Sequence, residues 1–310
     1  MNGSCTRRLR VAAAKAPETQ VVPLRCTPVT KITCIGVAHT ICGSPGLSLL
    51  LIVTTGRCAT RALALGLTRY SDTTVDHEPQ PQLLREAFLK HVRADYRTDL
   101  LESRLAWFRQ REHARYGQTV RAAPLLDDLA EAAPTARFLL LVREPYSYVR
   151  SAMTRRVLLR GDEWDLYRIL PLGVDLTGLS RPEVIALHWR EVNRYLLDFW
   201  TRHRDRSRMM VLGDLGSQML EIAEYAGSRV TNPAGLADFL ARSPNRAPIR
   251  DALEDVRNGD LSSLIALARK RIGRDGAGPP ETLPDEGLRR ALEETWQSVR
   301  SAAAEPQPQH

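Results

Sequence analysis

Residues 49–61 read LLLIVTTGRCATR and set the architecture of the chain. Five consecutive apolar residues, Leu49 to Val53, are typical of a strand buried on both faces, as in a parallel sheet. A turn containing threonine and glycine follows, and then residues 60–69 place Leu63 and Leu67 on one face of a predicted helix. A strand that turns into a helix presents free backbone N–H groups and the positive end of the helix dipole. The turn is therefore a candidate anion site.

A second segment repeats this pattern about ninety residues later. The apolar run Phe138 to Val142 ends in Arg143, and Pro145 is suited to the first position of a helix. Ser151 lies eight residues after Arg143, about two turns along that helix. We expect Arg143 and Ser151 to hold one phosphate from two sides. The two turns together predict a ligand with two phosphates.

Between and after these segments, short apolar runs alternate with amphipathic ones. Further strands are predicted at 73–76, 119–121 and 209–212, and further helices at 124–132, 182–200 and 214–226. This alternation predicts the α/β class, with a single-domain parallel β-sheet flanked by helices.

The rest of the chain is divided by composition. Residues 1–46 lack a sustained period and predict a disordered or poorly ordered leader, followed by an α/β domain over residues 47–275. Within that domain, residues 80–116 predict a helical cap that binds the acceptor, and a loop at 160–180 is expected to line the same site. Residues 276–310 predict a C-terminal helix and a flexible tail.

Charge and cysteine usage narrow the class of protein. The first 46 residues carry +5 of the formal charge of +8, which leaves +3 for the other 264 residues. With 6% aromatic residues, such a balanced domain argues against nucleic acid as a partner. Five cysteines with no C-x-x-C pair fit neither a disulfide framework nor a zinc site. No apolar run approaches membrane-spanning length, so we expect a cytoplasmic protein without an integral membrane segment. The sequence leaves its oligomeric state open.

The two turns resemble those of the sulfotransferases that use 3'-phosphoadenosine-5'-phosphosulfate (PAPS). In that family a T-x-x-[KR]-S-G-T loop binds the 5'-phosphosulfate, and a strand-end arginine with a serine eight residues later binds the 3'-phosphate. Arg57, Thr60, Arg143 and Ser151 match those positions. The resemblance covers roughly residues 48–220. It implies a P-loop-like nucleotide-binding fold of the sulfotransferase type, PAPS as co-substrate and no metal.

The resemblance assigns the donor loop to seven consecutive residues, which are Thr55, Gly56, Arg57, Cys58, Ala59, Thr60 and Arg61. Cys58 and Ala59 stand where the family usually has serine and glycine. A thiol donates a weaker hydrogen bond than a hydroxyl. Cys58 also leaves a rival mechanism open, because a thiol beside Arg57 at a helix start can act as a nucleophile. The C-x5-R spacing of the phosphatases is absent, since residue 64 is alanine.

The sequence His77-Glu78-Pro79 supplies the remaining chemistry. It is similar to the Lys-Glu-Pro placement in carbohydrate sulfotransferases of this family, where the glutamate is the general base. The resemblance therefore implies Glu78 as the base, with His77 in reserve, and Arg57 as the group that stabilises the leaving phosphate. The implied acceptor is a hydroxyl of a small molecule or sugar.

Two other functions stay open at this point. A nucleotide kinase would need ATP and Mg²⁺, but residues 58–64 lack the second glycine and the lysine of a Walker A loop, and Arg143 is basic. A non-catalytic protein that binds 3'-phosphoadenosine nucleotides would account for the changes at Cys58 and Ala59. Titration with 3',5'-ADP and ATP separates the kinase from the other two functions, and turnover separates the enzyme from the silent binder.

Overall fold

The structure is a computed structural model of the chain, and it describes residues 49–112, 114–155, 157–158, 163–213, 215–241 and 285–305. All of these residues belong to one compact unit, Ser44–His310. The predicted leader over residues 1–46 and the tail segments 276–284 and 306–310 lie outside the described residues.

A five-stranded parallel sheet forms the centre of the described fold, in the order β2-β3-β1-β4-β5. The strands are β1 (Leu50–Thr54), β2 (Thr74–His77), β3 (Tyr116–Val120), β4 (Arg137–Val142) and β5 (Ser207–Val211). Strand β1 lies between β3 and β4, with Val53 opposite Val120 on one side and Leu140 on the other. The predicted fold class, a parallel sheet flanked by helices, is confirmed.

Helices connect and cover the strands. They are α1 (Thr60–Tyr70), α2 (Leu83–Val92), α3 (Asp99–Arg109), a short 3-10 helix (Ala123–Leu125), α4 (Leu126–Ala132), α5 (Pro145–Thr154), α6 (Glu163–Leu166), α7 (Arg181–Arg202), α8 (Leu215–Tyr225), α9 (Pro233–Ala241) and α10 (Asp285–Ala304). None of the helices in these described stretches combines the length and the apolarity needed to cross a lipid bilayer.

Two apolar layers flank the sheet. Alternate residues of a strand point to opposite faces, so Leu51 and Val53 pack with the larger cluster and Leu50 and Ile52 with the smaller one. The larger layer includes buried residues of α2, α3, α5, α7 and α10, and the smaller layer includes buried residues of α1, α8 and α9. All five residues of β1 are buried, which explains the apolar run from Leu50 to Val53.

Strand β3 differs most from the sequence-based expectation. It begins at Tyr116, earlier than the predicted 119–121, and it is not part of the helical stretch predicted to extend to Tyr116. Gln118 and Thr119 are buried on this strand, and a Cβ on Gly117 would lie 3.2 Å from both Cβ and O of Leu50. Polar and glycine residues therefore occupy a central strand, and their sequence carries no apolar signal.

The helix α7 begins one residue before the predicted Pro182. Ser180 and Glu183 form a capping box, with the Glu183 carboxylate accepting a hydrogen bond from the Ser180 backbone N–H. The pattern S-x-x-E is a helix-start signal that can be read from sequence. The α7 helix then carries Trp189, which is fully buried, toward the carboxyl end of the sheet.

Candidate functional site

The site lies at a reversal in the order of the strands. From β1 the chain passes through α1 to β2 at one edge of the sheet. From β4 it passes through α5 to α7 and reaches β5 at the opposite edge. Adjacent parallel strands whose connections diverge leave a crevice at their carboxyl ends, where ligands of α/β proteins usually bind. Arg57 follows β1 and Arg143 follows β4, so both arginines are delivered to this crevice.

The β1–α1 loop has an unusual backbone. Gly56, Arg57 and Ala59 have φ angles of 83°, 59° and 54°, in the left-handed region that favours glycine. The Gly56 N–H donates to the Thr54 hydroxyl at 2.6 Å, which fixes the first bend. Successive N–H groups in such a conformation form a concave donor surface for anions. Ala59 caps α1 in this left-handed conformation, so the glycine found at this position in the resembled motif would adopt it with less strain.

Arg57, Ser151 and Arg143 form one contact network. The Arg57 guanidinium donates from Nε and Nη2 to the Ser151 hydroxyl, at 3.2 Å each. Arg143 donates from Nη1 to the backbone carbonyl of Arg57 at 2.9 Å, and its own carbonyl accepts from Trp189 Nε1 at 2.8 Å. The carboxylate of the neighbouring Glu144 accepts hydrogen bonds from the backbone N–H groups of residues 146 and 147 and so caps α5. It therefore does not take the place of the predicted phosphate beside Arg143. The structure thus brings the three residues predicted from both turns together.

The charge at this network is strongly positive. Burial lowers the pKa of the Arg57 guanidinium, and the nearby positive charges of Arg155, Arg143 and Arg121 lower it further. Each of these three guanidinium groups therefore acts electrostatically on Arg57. An anion placed there would interact favourably with all four guanidinium groups, and charge-assisted bonds from arginine to phosphate are among the stronger hydrogen bonds in proteins.

Cys58 faces the protein interior. It is fully buried, and its thiol donates to the Gly56 carbonyl with a distance of 3.3 Å. Burial raises the pKa of the Cys58 thiol to about 11, despite hydrogen bonds from Thr55 and Thr54 that favour the thiolate. A buried neutral thiol is a poor nucleophile. The geometry therefore favours a structural role for this side chain, in which it holds the bend of the loop.

The remaining side chains of the β1–α1 loop differ in their exposure to solvent. Thr55 and Thr60 are buried, whereas the Arg61 side chain is exposed on the first turn of α1. The positive charge of Arg61 is a minor contribution to the lowered pKa of the His77 imidazole, after burial and the charge of Arg121.

A second group of candidate residues, His77 and Glu78, lies around Thr119. The Glu78 backbone N–H donates to the Thr119 hydroxyl at 3.1 Å, and His77 Nδ1 lies 2.9 Å from the same oxygen. Glu78 has a φ of 50°, a conformation that costs roughly 1–3 kcal/mol for a residue other than glycine. Burial lowers the pKa of His77, although the Glu78 carboxylate opposes this effect. The backbone at the end of β2 is thus held in a strained conformation, which fixes the position of the Glu78 Cα from which the side chain extends.

Arg121 connects the two groups, and the sequence reasoning missed it. It follows β3 directly, and its Nη2 donates to Glu78 Oε2 at 2.8 Å. A Cβ built on Gly56 would lie 3.1 Å from Arg121 Cδ, so the same side chain packs over the donor loop. The available signal was a basic residue at the end of a strand, the feature that singled out Arg143 after β4.

A shallow recess that is open to solvent lies beside Glu78. It is lined by Glu78, Gln80, Pro81, Leu83, Leu84, Thr119, Val120 and Arg121. Part of the predicted cap, residues 80–116, therefore forms one wall of this recess, while α2 and α3 bury most of their apolar residues in the larger core layer.

No protein-family model and no curated protein matches the chain. Among solved structures it is similar to a sulfotransferase from Alicyclobacillus acidocaldarius, with 13% sequence identity and a TM-score of 0.38, over 73% of this chain and 96% of that one.

Proposed function

We propose that this chain is a PAPS-dependent sulfotransferase that acts on a hydroxyl of a small molecule or sugar. The supporting observation is the meeting of Arg57 and Arg143 with Ser151 at the divergence of β1 and β4. Two guanidinium groups and a serine hydroxyl at a left-handed loop fit a ligand that carries more than one phosphate. The residue types match the two phosphate-binding motifs of the resembled family at all four positions named above.

Each residue has a part in the proposal. The β1–α1 loop, with Thr55, Thr60 and the backbone N–H groups of 56–61, holds the 5'-phosphosulfate, and Arg57 stabilises the negative charge of the leaving phosphate. Arg143 and Ser151 hold the 3'-phosphate. PAPS supplies an activated sulfuryl group, which the acceptor oxygen takes up as the bond to the phosphate breaks and 3',5'-ADP leaves.

Glu78 is the proposed base that takes the proton of the acceptor hydroxyl. Its carboxylate borders both the recess and Arg121, and its backbone is fixed by Thr119. His77 is the reserve base, since its lowered pKa keeps the imidazole neutral near physiological pH. The scheme uses no metal.

Nucleotide binding is the first test. Calorimetric titration with 3',5'-ADP, 5'-AMP and ATP with Mg²⁺ compares ligands with and without the 3'-phosphate. We expect 3',5'-ADP to bind at least about 10-fold more tightly than 5'-AMP, and Arg143→Gln to remove this difference, because each charge-assisted contact contributes about 1.5–3 kcal/mol. The matched control is Arg109→Gln, which removes an exposed arginine at the end of α3. Tighter binding of ATP than of 3',5'-ADP would favour the kinase.

Turnover is the second test. Radiolabelled PAPS is incubated with a panel of hydroxyl acceptors, and transfer of label is measured for the wild type and Glu78→Gln. We expect transfer to at least one acceptor and a loss of about 100-fold or more in Glu78→Gln, the usual scale of a general base. Tight binding of 3',5'-ADP without any transfer or hydrolysis of PAPS would indicate the silent binder.

A further inference from the structure

Two of the residues that Arg121 contacts, Glu78 and Gly56, belong to different parts of the site. Its guanidinium donates to the Glu78 carboxylate, and the two side chains are only 21% and 17% exposed. Its Cδ and Nη1 would lie 3.1 and 3.5 Å from a Cβ on Gly56, in the middle of the donor loop. One side chain therefore spans the distance between the candidate base and the candidate phosphate site.

The backbones of Glu78 and Gly56 are each held by a hydrogen bond to a threonine hydroxyl. Glu78 is fixed by its hydrogen bond to Thr119 in a left-handed conformation, and Gly56 is fixed by its hydrogen bond to the Thr54 hydroxyl. Because these backbones are held in place, a change of partner by Arg121 would involve side-chain rotation, with little movement of the loop or of β2.

The positive charge of Arg121 acts both on the β1–α1 loop and on the end of β2. It is one of the charges that lower the pKa of Arg57, and it also lowers the pKa of His77. Interactions at such range are strong in a partly buried crevice, because solvent screens them less than at the surface. An anion in the loop and the carboxylate of Glu78 are thus two negative groups that compete for one guanidinium.

We propose that Arg121 is a positioning residue that divides its guanidinium between Glu78 and an anion in the β1–α1 loop, so that filling the loop releases the Glu78 carboxylate for the acceptor. The proposal rests on the proposed function and adds to it an order of events, in which binding of the donor comes before release of the base. The base becomes available when the donor is bound, which couples the two halves of the site. Coupling of this kind is reciprocal, so changes at Glu78 must alter the affinity of the loop for anions.

A double-mutant cycle measures this coupling without any turnover. The dissociation constants of inorganic pyrophosphate and of 3',5'-ADP are determined by calorimetry for the wild type, Glu78→Gln, Arg121→Gln and the double variant. Glu78→Gln removes the competing carboxylate, so we expect it to tighten binding of both probes by about 5-fold or more. In the Arg121→Gln background the same change is expected to have no such effect. Arg109→Gln is the control for loss of an exposed positive charge.

The outcomes separate the two proposals. An equal gain from Glu78→Gln in both backgrounds, or no gain in either, contradicts the sharing of Arg121. If pyrophosphate shows the coupling and 3',5'-ADP does not bind, the sharing stands and the nucleotide assignment is wrong. Failure of both probes to bind the wild type overturns both proposals. Circular dichroism checks the fold of each variant, and Arg121→Lys replaces Arg121→Gln if the latter is unfolded. Lysine keeps the charge but lacks the planar fork, so a smaller coupling is expected.

Discussion

The guanidinium of Arg57 donates two hydrogen bonds to the hydroxyl of Ser151, although 94 residues separate them in the sequence. Arg57 belongs to the loop after β1, and Ser151 lies on α5 after β4. The two predicted phosphate motifs therefore form a single surface. Arg143 completes it by holding the carbonyl of Arg57. The assignment of Arg57 and Arg143 to different phosphates of one ligand stays a prediction.

Ser151→Ala tests whether this surface binds the nucleotide. We expect the affinity for 3',5'-ADP to fall by about 10-fold, because a hydroxyl that contacts a charged group contributes about 1.5 kcal/mol or more. Calorimetry measures the change. Ser298→Ala is the matched control, because it removes an exposed hydroxyl that bonds only to its own helix α10 among the described residues. Unchanged affinity in Ser151→Ala with a native fold would contradict the role of Ser151.

Cys58 gives a test of the rival nucleophilic mechanism. Because burial raises its thiol pKa to about 11, we expect iodoacetamide to alkylate Cys58 much more slowly in the native protein than in the unfolded chain. Mass spectrometry of the peptide that contains Cys58 distinguishes it from the other four cysteines. Cys58→Ser is expected to retain or raise activity. Complete loss of turnover in a folded Cys58→Ser protein would support the nucleophile.

His188 predicts how stability depends on pH. It is buried, and its Nδ1 lies 2.8 Å from the carbonyl oxygen of Ile169. Burial lowers the His188 pKa from 6.5 to about 3, and the charges of Arg168 and Arg121 act in the same direction. Between these values the unfolded chain binds a proton that the folded protein does not. The contribution is therefore fully present above pH 6.5 and is lost as the pH falls toward about 3.

Urea unfolding of the wild type and of His188→Gln over this pH range measures the effect. We expect the free energy of unfolding of the wild type to fall more steeply, with an additional slope of at most about 1.4 kcal/mol per pH unit. Glutamine offers an amide N–H to the same carbonyl but does not titrate. Parallel curves for the two proteins would show that His188 does not titrate differently in the folded state.

Particular residues show how far the sequence determines this structure. Strands β1 and β4 contain the apolar runs Leu50–Val53 and Phe138–Val142, and the turns after them carry Arg57 and Arg143. The fold class and the meeting of these two turns could therefore be predicted from local pattern. Arg121 could not be assigned in this way. Its position beside Glu78 depends on the pairing of β2 with β3, in which His77 lies opposite Thr119. Pairing between strands that are distant in sequence leaves no local signal, and the polar residues of β3 conceal the strand itself.

Gly56→Ala tests the contact between the donor loop and Arg121. Alanine at a φ of 83° is strained, which costs about 1 kcal/mol, and its Cβ would lie 3.1 Å from Arg121 Cδ. Gly173→Ala is the control, because Gly173 has a similar φ of 79° and no atom within 4 Å of a built Cβ. We expect both variants to lose similar stability in urea unfolding. Only Gly56→Ala is expected to weaken binding of pyrophosphate, because its methyl group displaces Arg121 and narrows the loop. Equal pyrophosphate affinity in the two variants would show that Arg121 and the loop act independently.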